Sequence, residues 1–226
     1  MKRTRHTLTT LHGAVPIDAV LLTHIHSDHI SGYPLRVIEE MGLPICLHED
    51  SISALKNKHY NDRGVDKLRL LPHRSGPFDI GEFRIRPFEV VHNPWYPTFG
   101  YDIRWQDKKI VIATDFCRWD DLLGHFVDAD FIFVESNHDL ALLKKYYNPN
   151  SRYHLPNPGT AELLIAALGQ SKKPPQTIML GHLSSQRNTP QLALHETAQA
   201  FERADLPLTF RLLAAPLREA GVSVHI

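Results

Sequence analysis

Between Thr23 and His29 the chain places four metal-binding side chains, His24, His26, Asp28 and His29, directly after the apolar stretch Ile17–Thr23. The stretch reads as a buried strand, and such strands end where polar side chains can turn into a cleft. His24 and His26 lie two apart in a segment that is still extended, so they point to one side and can grip one cation. Asp28 and His29 follow once the chain begins to curl, and reach a second point. Imidazole and carboxylate together suit zinc, with manganese or iron as substitutes. The pattern reads as half of a two-metal hydrolytic site; a polar loop after a buried strand is the plainer alternative.

Further candidates lie downstream. Val90-Val91-His92 precedes Gly100-Tyr101, the apolar run Ile110–Thr114 leads into Asp115, and His182 sits in Leu180-Gly181-His182-Leu183-Ser184-Ser185. Taken singly, His92 is an ordinary strand end, Asp115 a helix N-cap and His182 a loop residue. In this order behind the His24 motif, they resemble the metallo-β-lactamase superfamily, in particular its phosphodiesterase members. The resemblance implies that His92 completes the first metal's set, that His182 closes the second, and that Asp115 touches both ions.

A narrower resemblance runs from Asp115 to the C-terminus. Phe133-Val134-Glu135-Ser136-Asn137-His138-Asp139, then Leu142-Leu143-Lys144, then Leu180–Ser184 with Asn188-Thr189-Pro190 and Leu192-Ala193, is similar to the YycJ/WalJ subgroup. Exonuclease action on double-stranded DNA is what that subgroup implies. Its members carry an Arg and a Gly-His-Leu-Ser-Asn segment between these blocks; here the counterpart is Arg152-Tyr153-His154-Leu155-Pro156-Asn157, with Tyr153 and Pro156 replacing the Gly and Ser.

Two cations about 3.5 to 4 Å apart share a hydroxide and polarise a substrate oxygen, which makes water a nucleophile at neutral pH. For a phosphodiester the attack is in line, and the leaving alkoxide needs a proton or a cation. Asp28, Asp115 and His154 are assigned to catalysis, His154 as proton donor or phosphate contact, with a structural histidine as the alternative. Glu135 to His138 follow a strand and face the cleft edge; Asn137 and His138 are candidate substrate contacts or a capped helix start. Arg152 offers a fork suited to phosphate. Lys144, Lys145, Lys172 and Lys173 extend a positive track or are simply solvated. A small-molecule hydrolase of the same fold, acting on a thioester, lactone or cyclic phosphate, uses the same metal core. A degenerate non-catalytic member is the third possibility.

With 226 residues and 42% hydrophobic content the chain can bury a substantial core, and a single domain over residues 1–226 is expected. The 25 basic and 25 acidic residues cancel, so composition supplies no positive field that announces nucleic acid. Of the 15 histidines only a minority fall at ligand positions. Cys46 and Cys117 make no disulfide framework, and Cys117 reads as a buried inert thiol. No apolar run spans a bilayer and no signal peptide is visible, so a cytoplasmic protein with DNA as its partner is expected.

The elements that must position these residues follow from periodicity. Helices are expected over Tyr33–Met41, Ser51–Lys58, Asp120–Val127, Asp139–Tyr146, Thr160–Leu168 and Pro190–Arg203. Strands are expected over Pro44–His48, Leu68–Leu71, Glu82–Val91, Tyr101–Trp105, Lys109–Thr114, Phe131–Glu135, Thr177–Leu180, Leu208–Leu213 and Val222–Ile226. The fold class is α/β, a four-layer αββα metallo-β-lactamase sandwich with two sheets between outer helices. It is N-terminally truncated relative to the family: neither the Gly-Ser-Ser-Gly-Asn-like strand segment nor the Leu-Ile-Asp-Ala-Gly-like turn precedes Thr4–Leu11, which reads as the amphipathic helix leading to the His motif. Without those strands an exposed sheet edge is open to pairing with another chain.

Overall fold

The structure is a computed structural model that describes residues 15–59, 67–216 and 221–226, with Thr7, Thr9, Thr10 and Gly13. The helix expected over Thr4–Leu11 falls largely outside the described residues. Two compact units emerge, one of Met1–Pro87 with Pro94–Phe99 and one of Phe88–Asn93 with Gly100–Ile226.

In the first unit, β1 (Val20–Leu21), β2 (Ile45–His48) and β3 (Leu70–His73) form a parallel sheet in that order. Helices α1 (Gly32–Glu40) and α2 (Ser51–His59) supply the crossovers that parallel pairing demands. Leu35 and Ile38 of α1 join Leu22, Ile25, Ile45, Leu47 and Leu55 in one core. The helix stops where Gly42 takes a φ of +66°, a left-handed residue that closes a helix without a Cβ clash. A hairpin of β4 (Phe78–Ile80) and β5 (Phe83–Glu89) turns through Gly81 at a φ of +56°. The reading of one strand from Glu82 missed β4, which is three residues long and too short to carry a period.

The second unit holds β6 (Phe99–Trp105), β7 (Lys108–Ala113), β8 (Phe131–Glu135), β9 (Thr177–Gly181) and β10 (Arg211–Ala214) in the order β10-β9-β8-β7-β6. The β6–β7 hairpin is antiparallel and the remaining pairs are parallel. A 3-10 turn over Asp120–Leu122 and α3 (Leu123–Phe126) stand where one helix is expected. Then come α4 (Leu140–Lys145), a 3-10 turn over Pro149–Tyr153, α5 (Asn157–Gln170) and α6 (Pro190–Arg203). Helix α6 has the expected bounds because the Thr189 side chain accepts the Leu192 N–H and proline opens the first turn. Leu163, Leu164, Ala193 and Phe201 from α5 and α6 are fully buried with Val111, Ile132 and Ile178 from the sheet. Burying one such large side chain contributes roughly 1.5 to 3 kcal/mol.

The strand expected at Val222–Ile226 is absent: those residues have no regular structure. The one expected over Ile17–Thr23 narrows to β1, because only Val20 and Leu21 pair with β2.

Parallel pairing decides where the chemistry gathers in this unit. Ala113, Val134 and Leu180 lie in register across β7, β8 and β9, as do Glu135 and Gly181. Asp115, Glu135 and His182 therefore leave the sheet at one edge, the carboxyl end of parallel strands where ligands of open α/β sheets bind.

Candidate metal centre

In the first unit, the chain leaves β1 with His24 and Ile25 buried. His24 Nε2 and His26 Nδ1 are 2.8 Å apart, as alternation along an extended segment requires. The backbone then curls, with the N–H groups of His29 and Ile30 both donating to the His26 carbonyl. That turn folds His29 back until its ring centre is 4.2 Å from that of His24. Thr23 Oγ1 lies 3.2 Å from Nδ1 of both His24 and His29 and ties the two rings. Asp28, with its side chain 65% exposed, sits 3.9 Å from His29. This unit brings His24, His26 and His29 together, with the exposed Asp28 carboxylate within ligand distance of His29.

In the second unit the centre is built around two buried carboxylates. Glu135, the last residue of β8, is fully buried. Its Oε1 accepts from Nδ1 of His154 at 2.7 Å and of His182 at 2.8 Å, and its Oε2 accepts the N–H groups of Phe116 and Leu155. Burial pushes this carboxyl up, but the hydrogen bonds and charge of His154 and His182 outweigh it and hold Glu135 below the usual range. His92 donates Nδ1 to the Tyr153 carbonyl at 3.0 Å. Burial lowers its affinity for a second proton and so favours the neutral ring.

These bonds settle tautomers. With Nδ1 committed, Nε2 is the ring atom of His92 and His182 that faces Asp115, 3.7 Å and 3.5 Å from its Oδ1. Imidazole held through its other nitrogen by a carboxylate or carbonyl is the usual support of a metal-ligating histidine. Asp115, Glu135, His154 and His182 offer ligand atoms all within 4.8 Å of one another. Two carboxylates and two imidazoles fit a divalent cation of borderline hardness. Asp115 and His182 adopt φ of 60° and 53°, sparsely populated for residues with a Cβ. Backbone strain of this kind clusters at functional sites.

Asn137 and His138 are buried. Asn137 donates Nδ2 to the His182 carbonyl, and its Oδ1 meets His138 Nδ1 at 3.2 Å. Both therefore brace the His182 loop. Beneath them Ser136, Asn157 and Asn188 form a closed set of buried hydrogen bonds. Arg152 lies outside this network, with its guanidinium 4.7 Å from the centre of the Tyr153 ring. Cys117 Sγ donates to the Val91 carbonyl, and burial pushes its thiol up, which suits an inert role. Glu135 is the residue to which sequence reasoning gave no role of its own. The signal was a charged residue ending the apolar strand Phe131–Val134, a position that is costly unless the charge is paired.

Residues 1–183 match the family described as the beta-lactamase superfamily domain. The chain is 30% identical to the exodeoxyribonuclease WalJ of Streptococcus pneumoniae over 199 residues, covering 84% of this chain and 72% of that protein. Among solved structures, the metallo-beta-lactamase fold protein YhfI from Bacillus subtilis matches with a TM-score of 0.70 at 20% identity, covering 95% of this chain and 81% of that one. An isothiocyanate hydrolase from Delia radicum gut bacteria matches with a TM-score of 0.64 at 14% identity, covering 94% and 79%. These likenesses give the chain the metallo-β-lactamase fold.

Proposed function

The chain belongs to the beta-lactamase superfamily, and from that premise we propose that it is a metal-dependent phosphodiesterase that removes nucleotides from the ends of DNA. As a superfamily member it is a hydrolase that works with divalent metal. The reading towards DNA is supported by the 30% identity to an exodeoxyribonuclease across most of both chains. The observation that carries the hydrolytic part is Glu135, which fixes Nδ1 of both His154 and His182 beside Asp115.

Two ions are proposed, zinc with manganese or iron as substitutes. His24, His26, Asp28 and His29 from the first unit and His92, Asp115 and His182 from the second are the proposed ligands. Such ions, when bound, would lower the pKa of a water towards neutrality and offset charge on the scissile phosphate. The chain's own part is to orient and to move protons. Glu135 holds the His182 ring in one tautomer, and Asn137 fixes the loop behind it. With Nδ1–H of His154 donated to Glu135, Nε2 is the atom that faces the leaving alkoxide, and it gives up a proton to it when the ring carries protons on both nitrogens. Asn137 and His138 act through the His182 loop, and Arg152 is the proposed contact to substrate phosphate.

A small-molecule hydrolase is the second reading, favoured by an isothiocyanate hydrolase of the same fold. One experiment separates them. The metal-loaded protein is incubated with 5′-phosphorylated duplex DNA, a thioester and bis-nitrophenyl phosphate. Release of mononucleotides that Asp115→Ala abolishes is the expected result; thioester turnover without nucleotide release defeats the nuclease reading.

A further inference from the structure

Between α4 and His154 the chain concentrates charge that the molecule as a whole lacks. Residues 140–155 contain Lys144, Lys145 and Arg152 and no acidic residue, although the full chain is neutral. Aromatic rings interleave with these cations. Lys145 Nζ lies 5.2 Å over the Tyr146 ring, and Arg152 stacks on Tyr153 while donating Nη2 to its hydroxyl at 2.6 Å. Tyr146 is 47% exposed and Tyr147 is 78% exposed. The run ends on the metal centre, because the Tyr153 carbonyl holds His92 Nδ1.

Arg187 reaches the same run from the loop after His182. Its Nη1 donates to the Tyr146 carbonyl, and its Nε is buried with no acceptor. Among the described residues neither Arg187 nor Arg152 is paired with a carboxylate. A buried guanidinium N–H left unmatched is destabilising, and an anionic oxygen brought to it would offset that cost.

From this juxtaposition we infer that the face carrying Tyr146, Tyr147, Arg152 and Arg187 is a track for a single DNA strand, with bases stacked on the tyrosines and phosphates held by the arginines. Stacking on an aromatic ring requires a base lifted out of its duplex, whereas phosphate contacts alone do not. The inference rests on the phosphodiesterase reading and adds to it that the substrate end is presented unpaired.

Fluorescence anisotropy of a labelled phosphorothioate oligothymidylate, which resists turnover, tests this with the metal-loaded full chain. The single strand binds at least about tenfold more tightly than a blunt duplex of equal length. Tyr147→Ala weakens it about fivefold or more, and Tyr147→Phe restores it, as loss of one stacked base implies. Arg187→Gln lowers the slope of log affinity on log salt by about 0.7, the value for one phosphate contact on a single strand. Thermal melting of each variant checks that the fold is kept. Equal affinity for blunt duplex and single strand, or parental binding by both Tyr147→Ala and Arg187→Gln, overturns the track and leaves the phosphodiesterase reading standing. A parent protein that neither binds DNA nor releases nucleotides overturns that underlying reading and the track together.

Discussion

His182 donates Nδ1 to Glu135 Oε1 across 2.8 Å, a bond between the residue after β9 and the last residue of β8 that strand register brings side by side. The same oxygen takes His154. Glu135→Gln keeps the shape and removes the charge that both imidazoles share. Divalent metal affinity, measured by competition with a chelator, falls about 10- to 100-fold, the usual effect of losing the partner behind a ligating histidine. An unchanged affinity contradicts the role given to Glu135.

Metal content follows from the donor set. Protein purified with zinc and analysed by inductively coupled plasma spectrometry carries about two ions per chain, and Asp115→Ala carries fewer. A soluble, folded protein with no bound metal favours the non-catalytic alternative.

Gly181 precedes His182 and has no room for a side chain. A Cβ there would meet the Phe133 ring at 2.2 to 2.8 Å. Gly181→Ala lowers stability by about 1 to 3 kcal/mol, the range for overpacking, and chemical denaturation reads it directly. Parental stability would mean that Phe133 swings aside freely.

Glu196 gives a pH signature away from the centre. Burial, and then the Asp139 carboxyl beside it, raise its pKa from 4.5 to about 7. The folded state therefore holds a proton that the unfolded state has released. Stability is greatest below the ordinary value and falls as pH rises from about 4.5 to about 7. Glu196→Gln flattens that limb of the stability profile. A wild-type profile without the decline shows that Glu196 titrates normally.

Much of the fold was legible because local signals agreed with packing. Thr189-Pro190 marks the start of α6, and Phe131–Glu135 reads as β8 without error. What escaped notice depends on partners distant in sequence. Three residues of β4 are a strand only because β5 lies beside them, and Val222–Ile226 resembles a strand in composition but has none to pair with among the described residues. At the centre, residue type and order pointed to His92, Asp115 and His182, but Glu135 draws its meaning from two rings 19 and 47 positions away. For Asn137 and His138 the sequence placed the residues correctly near a strand end but could not tell which way an amide or a ring would turn.

One kink in the backbone has a longer reach. Asp115 places its carboxylate within 4 Å of three histidines while its own main chain sits in the left-handed basin. Glycine would be at ease there and aspartate is not. Replacing it with glycine would relax the chain but remove the carboxylate proposed to hold metal, so endurance to heat and capacity for chemistry would pull on this single residue in opposite directions.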